Sequence, residues 1–132
     1  MPTLVFDIET IGEDFDTLDE TTKKVLTRWI REDSFGEQEY QAALEDVKNS
    51  LGFSPLTGEI VAIGMLDVER EKSAVYFQAP GESVEPFEEN GVMYKPMEEG
   101  EMIGEFWRVA DKYDAFVTFN GRGFDVPFLM MR

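Results

Sequence analysis

A short β-prone run near the amino terminus constrains the fold of this chain most strongly. The run Leu4–Thr10 reads LVFDIET and carries two acids, Asp7 and Glu9, on alternate positions. Successive side chains of a strand point to opposite faces, so the two acids should share one face while Phe6 and Ile8 enter the core. We therefore predict a strand that buries its apolar face and presents two carboxylates together.

A second apolar run, close to the carboxyl end, also leads to an acid. It passes through Thr118-Phe119 into the pair Asn120-Gly121 and then reaches Asp125. An Asn-Gly pair favours the left-handed backbone of a tight turn. Together with the amino-terminal acids, Asp125 makes three carboxylates, which is donor chemistry suited to holding divalent cations against a phosphodiester.

Two missing residue types narrow the possible chemistry. The 132 residues include no cysteine and no histidine. Disulfides, thiol catalysis, Ser-His-Asp triads and imidazole metal ligands are therefore excluded. Any metal must be bound by oxygen, which favours Mg²⁺ or Mn²⁺.

Charge and hydropathy bound the partners and the compartment. The formal net charge of −16 opposes non-specific coating of nucleic acid, because such binding draws on Lys and Arg contacts with phosphates. It is compatible with an enzyme that binds one strand end through cations. Acids within the first fifteen residues argue against a signal peptide, and no apolar run is long enough to span a membrane. We predict a cytoplasmic protein with no membrane partner.

The periodicity of apolar residues predicts one α/β domain over residues 1–132, with a mixed sheet and helices packed on it. A helical insertion is expected at about 12–54 and an acidic exposed loop at about 80–101. The predicted strands lie at 2–8, 59–69, 73–79 and 115–119, and the predicted helices at 16–33, 37–51, 102–113 and from 123 onward. Within the insertion, Lys24, Arg28 and Arg31 form a basic stripe that is either a solvated helix face, which we favour, or a contact for phosphates.

The two acidic segments resemble motifs of the DEDD superfamily of 3′–5′ exonucleases, which has the ribonuclease H-like fold. Phe6–Thr10 resembles the first motif. Asn120–Asp125 resembles the second, with the Asn five residues before the Asp and an aromatic between them. This spacing and the hairpin sequence Pro55–Gly64 look most like the proofreading domain of family-B DNA polymerases and its stand-alone relatives. The resemblance covers nearly the whole chain in order.

The resemblance implies two-metal hydrolysis at the 3′ ends of single-stranded DNA or RNA. Two divalent cations, Mg²⁺ or Mn²⁺, would be bound by three catalytic acids. Asp7 would bridge both ions, Glu9 would bind the ion that activates water, and Asp125 would serve the other. The residues expected on the substrate side are Thr10, Asn120 and Phe124.

The chain departs from the family in its third motif, a Tyr or His four residues before a fourth Asp. No such motif follows Asp125, and the final strand and helix of the fold are also missing. The chain stops inside the apolar stretch Val126–Met131, which would normally be buried. We therefore expect a carboxyl-terminally truncated exonuclease domain that is weakly active or inactive as it stands. Its incomplete sheet edge is expected to favour self-association.

Two other functions fit parts of the sequence. A degenerate, non-catalytic nuclease-like module would bind a partner protein through the sheet edge. A haloacid dehalogenase-like phosphatase would use Asp7 as a covalent nucleophile, because the pattern apolar-Asp-x-acid-Thr also resembles that superfamily. That motif requires Asp where this chain has Glu9, and no convincing later Lys and acidic pair follows, so the phosphatase ranks below the exonuclease.

Overall fold

The order of elements is that of an α/β protein. A computed structural model describes residues 2–33 and 36–132, apart from the side chains at positions 29 and 31–33. The strands are β1 (Thr3–Gly12), β2 (Gly58–Asp67), β3 (Lys72–Phe77), β4 (Phe87–Glu89), β5 (Val92–Pro96) and β6 (Ala115–Val117). The helices are α1 (Glu20–Asp33), α2 (Glu37–Ser50), α3 (Glu99–Ala110) and α4 (Asp125–Met131).

The six strands form one mixed sheet in the order β4-β5-β3-β2-β1-β6. β1 and β6 are parallel, with Thr3 opposite Ala115 and Val5 opposite Val117. β2 and β3 are antiparallel, whereas β3 and β5 are parallel. The predicted α/β fold of ribonuclease H type, a mixed sheet with flanking helices, is confirmed. The predicted carboxyl-terminal truncation stays a prediction.

The core of the sheet follows from the alternation of apolar residues along β1. Asp7 and Glu9 are exposed, whereas Leu4, Phe6 and Ile8 are buried. The ring of Phe6 lies 4.9 Å from that of Phe106 on α3. The buried cluster comprises Leu4, Phe6, Ile8, Ile60, Ile63, Met65, Tyr76, Met102, Phe106, Ala110, Phe128 and Leu129. β1 is thereby fixed between its neighbouring strands and α3, with its two acids facing outward.

Contacts within the chain divide it into two compact units. The sheet unit comprises the residues up to Thr10 together with Ile60–Arg132, and the helical unit is Ile11–Glu59. The predicted insertion at about 12–54 falls within the helical unit. Its buried residues include Thr27, Ile30 and Leu51. The prediction of a single domain stays a prediction.

Helix α1 begins at Glu20, later than the predicted residue 16. The reason is Asp19, whose carboxyl group accepts the N–H of Thr22 at 3.2 Å and so caps the first turn. The residues immediately after the predicted start instead form a short 3₁₀ turn at Phe15–Thr17.

Two observations bear on surfaces of the helices. Lys24 and Arg28 of the predicted basic stripe are exposed, and the side chain of Arg31 lies outside the described residues. Among the residues that the structure describes, no helix is long and apolar enough to cross a membrane.

Part of the segment 80–101 differs from the predicted loop. It contains the strands β4 and β5 and the beginning of α3. Asn90 and Gly91 have φ values of 52° and 81° and form the tight turn between the two strands. The ring of Phe87 stacks on that of Tyr94 at 4.8 Å. β4 reads Phe-Glu-Glu, which is too short and too charged to show strand alternation in the sequence.

The apolar stretch 126–131 is divided by the geometry of α4. Phe128 and Leu129 are buried in the core, whereas Met130 and Met131 are 71% and 62% exposed. One face of the helix therefore packs on the sheet unit, and the other presents apolar side chains to solvent.

We predict that Gly104→Ala stabilises the protein. Gly104 lies inside α3, and nothing lies within 4 Å of a Cβ built at this position. Because alanine is about 1 kcal/mol more favourable than glycine in a helix interior, the free energy of unfolding should rise by up to that amount in urea titrations. Gly12→Ala is the contrast, since its Cβ would come 2.6 Å from Leu51 Cβ and should lower stability. Destabilisation by Gly104→Ala would contradict a continuous α3.

Candidate functional site

Two carboxyl groups from opposite ends of the chain meet on the sheet unit. Asp7 stands on the exposed face of β1, and Asp125 is the first residue of α4. Asp125 Oδ2 accepts the N–H of Ile8 at 3.2 Å, across 117 positions of sequence. The Asp7 carboxyl group lies close enough to that of Asp125 to act on it electrostatically. The structure thus brings together two of the three acids that the sequence singles out.

The pairing of β6 with β1 explains why α4 starts beside β1. β6 runs parallel to β1 and ends at Val117, opposite Val5. The chain then turns at Asn120, which has a φ of 54° in the left-handed region. The carbonyl of Asn120 accepts the N–H groups of Gly123 and Phe124 at 3.1 and 3.0 Å. After this turn α4 begins at Asp125, which lies beside Ile8 of β1.

The two glycines of the turn occupy positions where a side chain does not fit. A Cβ at Gly121 would come 2.2 Å from Thr118 Oγ1 and 2.7 Å from its Cγ2. A Cβ at Gly123 would come 2.7 Å from Asn120 Oδ1. The side chains of Thr118 and Asn120 therefore fill the space over the glycines and keep the turn compact. Thr118 Oγ1 is buried without a hydrogen-bond partner in the described part of the chain.

An ion pair fixes the far end of α4. Arg132 Nη2 lies 2.5 Å from Glu99 Oε1. Glu99 Oε2 also accepts the N–H of Ile60 at 2.5 Å. Because Glu99 begins α3 and Ile60 lies on β2, α4 is tied to the sheet unit at both of its ends.

The Asp125 carboxyl group sits in an unusual electrostatic environment. Only 2% of the residue is exposed. Burial raises the pKa of Asp125 above its usual value; the N–H of Ile8 opposes this change, and the Asp7 carboxylate adds to it. The raised pKa favours the protonated form of Asp125 more than that of an exposed aspartate.

Glu9, the third predicted metal ligand, shares the exposed face of β1 with Asp7. The rise of a strand separates their Cα atoms by about 7 Å. Within residues 2–33 and 36–132, no three acidic side chains are grouped closely enough to hold one ion. Glu9 is therefore not gathered with Asp7 and Asp125 into a three-ligand cluster.

The three predicted substrate-side residues take different positions. Thr10 is half-buried on β1, next to Glu9, and Asn120 is exposed in the turn. Phe124 packs against the core cluster, with its ring 5.5 Å from that of Phe128. Its packing helps to hold the start of α4 in place.

Two contributors to the site were absent from the sequence-based prediction. The N–H of Ile8 is a backbone group, so no residue type marks it. The space between Thr118 and Gly121 depends on the path of the turn, and its only sequence signal is a small residue three positions after a β-branched one. Both act on the placement of Asp125, and the Ile8 N–H also lowers its pKa.

The donor chemistry of the pair fits a divalent cation bound through oxygen. Two neighbouring carboxyl groups, one of them buried, provide hard oxygen donors once both are ionised. Cation and proton therefore compete for the same oxygens, which is the usual relation at a carboxylate site.

Comparison with known proteins gives one family. A family model described as a predicted 3′–5′ exonuclease related to the exonuclease domain of PolB matches residues 57–132, more than half of the chain. The matched range contains the turn at Asn120 and Asp125 and begins after Asp7 and Glu9. No curated protein matches the chain significantly.

We predict that Gly121→Ala destabilises the fold through Thr118. The added Cβ would overlap the Thr118 side chain, and overpacking of this kind costs about 1–3 kcal/mol. Urea unfolding of Gly121→Ala, Thr118→Ala and the double variant forms a thermodynamic cycle. The double variant should be more stable than the sum of the single effects, because removing Oγ1 and Cγ2 frees the space. Strictly additive effects would show that the two residues are not in contact.

We predict a pH dependence for Asp125→Asn that follows from the raised pKa of Asp125. An acid whose pKa is raised by folding favours the folded state below its unfolded pKa, and this contribution is lost as pH rises through the folded pKa. In a chelator, the Asn variant should therefore gain free energy of unfolding over the wild type as pH increases.

Asp67→Asn provides a control of opposite sign. The N–H of Arg70 and the hydroxyl of Tyr113 lower the pKa of Asp67. Its stabilising effect is present above the unfolded pKa and is lost as pH falls through the folded pKa. The loss caused by Asp67→Asn should thus shrink toward acid pH. An Asp125→Asn gain that decreases as pH rises would contradict a raised pKa of Asp125.

Proposed function

Because the chain belongs to the family of predicted 3′–5′ exonucleases related to the exonuclease domain of PolB, we propose that it hydrolyses phosphodiester bonds at the 3′ ends of single-stranded DNA or RNA. The observation that most supports this proposal is the contact of Asp7 with Asp125 at β1. Two acids distant in sequence, one buried and one exposed, lie near each other on the sheet unit, which supports a carboxylate site there. The family match also favours a nuclease over the phosphatase alternative.

The proposed ligands of two divalent cations, Mg²⁺ or Mn²⁺, are Asp7, Asp125 and Glu9. When bound, such cations activate water and stabilise the departing 3′ oxygen. The chain contributes a fixed acceptor, because the Ile8 N–H and the surrounding burial hold Asp125 in one orientation. Asp7 is exposed on the same site and faces the solvent from which a strand end would arrive.

The raised pKa of Asp125 links cation binding to pH. Two carboxyl groups that bind a cation must both be ionised, so protons compete with the cation for the pair. Cation affinity is then expected to rise with pH through the raised pKa of Asp125.

Three further residues are proposed on the substrate side. Thr10 and Asn120 carry polar groups on elements next to the acids, and Phe124 supports the start of α4. The chain contains no cysteine, which agrees with action in the cytoplasm, the compartment that we propose.

Digestion of a 5′-labelled single-stranded oligonucleotide in Mn²⁺ tests the function. We expect stepwise shortening from the 3′ end, slow if the third motif is needed for full rate. Asp7→Asn and Asp125→Asn should each reduce the rate by about 100-fold or more, since each removes a charged ligand. Glu88→Gln, an exposed acid on β4, is the matched control and should leave the rate unchanged. Shortening that survives Asp125→Asn, or that proceeds from the 5′ end, would rule the proposal out.

A second candidate, a non-catalytic module that self-associates, draws on β6. This strand forms one edge of the sheet, and its Phe116 and Val117 are 48% and 52% exposed. An unpaired edge with apolar side chains invites strand pairing. The net charge of −16 opposes contact between two copies, so a dimer should become more populated as salt increases. Sedimentation that shows a monomer at every salt concentration would exclude this candidate.

A further inference from the structure

A small cavity of the helical unit has lysines in its wall, although the chain is strongly acidic overall. Its volume is about 150 Å³, which equals the liquid volume of about five water molecules. The side chains that line it include Phe15 before α1, Glu20, Lys23 and Lys24 on α1, and Tyr40 on α2. Acids outnumber bases 28 to 12 in the whole chain, so two lysines at one small cavity indicate an anionic ligand.

The ring of Phe15 lies beside lysines from both helices. Lys23 Nζ on α1 is 5.8 Å from the ring centroid, and Lys48 Nζ on α2 is 5.6 Å from it. An aromatic face attracts cations electrostatically. Lys23 Nζ also donates a hydrogen bond to the carbonyl of Asp16 at 3.2 Å. Two ammonium groups that repel each other are thereby held near one ring at the cavity.

The carboxylates near these lysines neutralise them only weakly. Lys23 Nζ lies 3.6 Å from Glu20 Oε1, and Lys48 Nζ lies 3.8 Å from Glu45 Oε1. The two Glu side chains are 82% and 64% exposed, and exposed ion pairs contribute about 0–1 kcal/mol. Lys24 is exposed and has no ion-pair partner in the described part of the chain. An incoming anion can therefore bind these lysines without breaking a strong contact.

We propose that this cavity binds a backbone phosphate of a single-stranded nucleic acid through Lys23 and Lys24, with Lys48 beside them. This inference rests on the proposed exonuclease function for its ligand, and it adds a contact in the helical unit. Lysine binds phosphate as a point charge, so the contact holds a strand without selecting its sequence. Tyr40 adds a hydroxyl group that can donate a hydrogen bond to a phosphate oxygen.

The salt dependence of binding measures the contact. The logarithm of the affinity for a single strand falls with the logarithm of the salt concentration, by about 0.7 for each phosphate contact. In anisotropy titrations of a fluorescent single strand in Ca²⁺, Lys24→Gln should reduce the size of this slope by about 0.7. Near about 0.1 M salt, the same variant should weaken binding by about fivefold. Lys24→Arg, which keeps the charge, should retain the wild-type slope.

Lys72→Gln is the matched control for a change in net charge. Lys72 is an exposed lysine on β3 in the sheet unit, so its replacement removes the same charge away from the cavity. The slope of Lys72→Gln should equal that of the wild type. An equal loss of slope in Lys72→Gln and Lys24→Gln would assign the effect to overall charge and overturn the contact. The melting temperature of Lys24→Gln should match that of the wild type, because Lys and Gln have similar helix propensities.

NMR titrations that follow the amide of Tyr40 separate the possible sources of the anion. The resonance should shift when the single strand is added to the wild type and should shift much less in Lys24→Gln. A shift with inorganic phosphate but not with the strand would assign the cavity to a free phosphate and overturn the strand contact. A shift with polyglutamate alone would assign it to an acidic protein segment and also overturn the proposal.

The remaining outcomes distinguish this inference from the function on which it rests. An unchanged salt slope in Lys24→Gln, together with stepwise 3′ shortening in Mn²⁺, overturns the contact and leaves the exonuclease standing. A slope that falls in Lys24→Gln, without any shortening by the wild type, supports the contact and overturns the exonuclease. Failure of the wild type to bind a single strand of either DNA or RNA overturns both.

Discussion

The hydrogen bond from the Ile8 N–H to Asp125 is the contact on which the site depends. It joins the first strand to the last helix and fixes a buried carboxyl group beside an exposed one. An unpaired buried acid would be costly, because its charge leaves water without compensation. Here the Ile8 N–H donates a hydrogen bond to the group. A displacement of α4 would break the hydrogen bond from Ile8 and would also move Asp125 away from Asp7.

Several local features converge on that single contact. The parallel pairing of β6 sets the level at which the chain leaves the sheet, and the turn at Asn120 reverses it. A Cβ at Gly121 or Gly123 would meet the side chain of Thr118 or Asn120, so this turn requires glycine at both positions. At the other end of α4, Arg132 and Glu99 hold the helix against β2 and α3. The position of Asp125 Oδ2 therefore depends on contacts with β1, β2, β6 and α3.

The sequence predicts those features that rest on periodicity and fails where tertiary contacts decide. The alternation in β1 correctly places Phe6 inside and Asp7 outside, because a strand has a period of two. β4 and β5 were missed because three residues rich in Glu carry no such signal, and their pairing depends on the stacking of Phe87 on Tyr94. α1 begins later than predicted because the side chain of Asp19 caps its first turn.

The candidate site shows the same division. Motif spacing singles out Asp7 and Asp125, and the fold joins them. It cannot supply the backbone donor at Ile8, the raised pKa of Asp125, or the distance of Glu9 from the pair. These features depend on where each strand ends and the chain turns, and no residue type in the sequence indicates that position.

The neighbouring positions of β1 and β2 in the sheet have a consequence for divergence. The chain leaves the sheet at the end of β1 and returns at the start of β2, so residues 13–57 form a long connection between adjacent strands. The entropy of closing such a connection grows only slowly with its length. A change in the length of this connection should therefore cost the sheet unit little free energy. The family match begins at residue 57, where this connection ends and β2 begins.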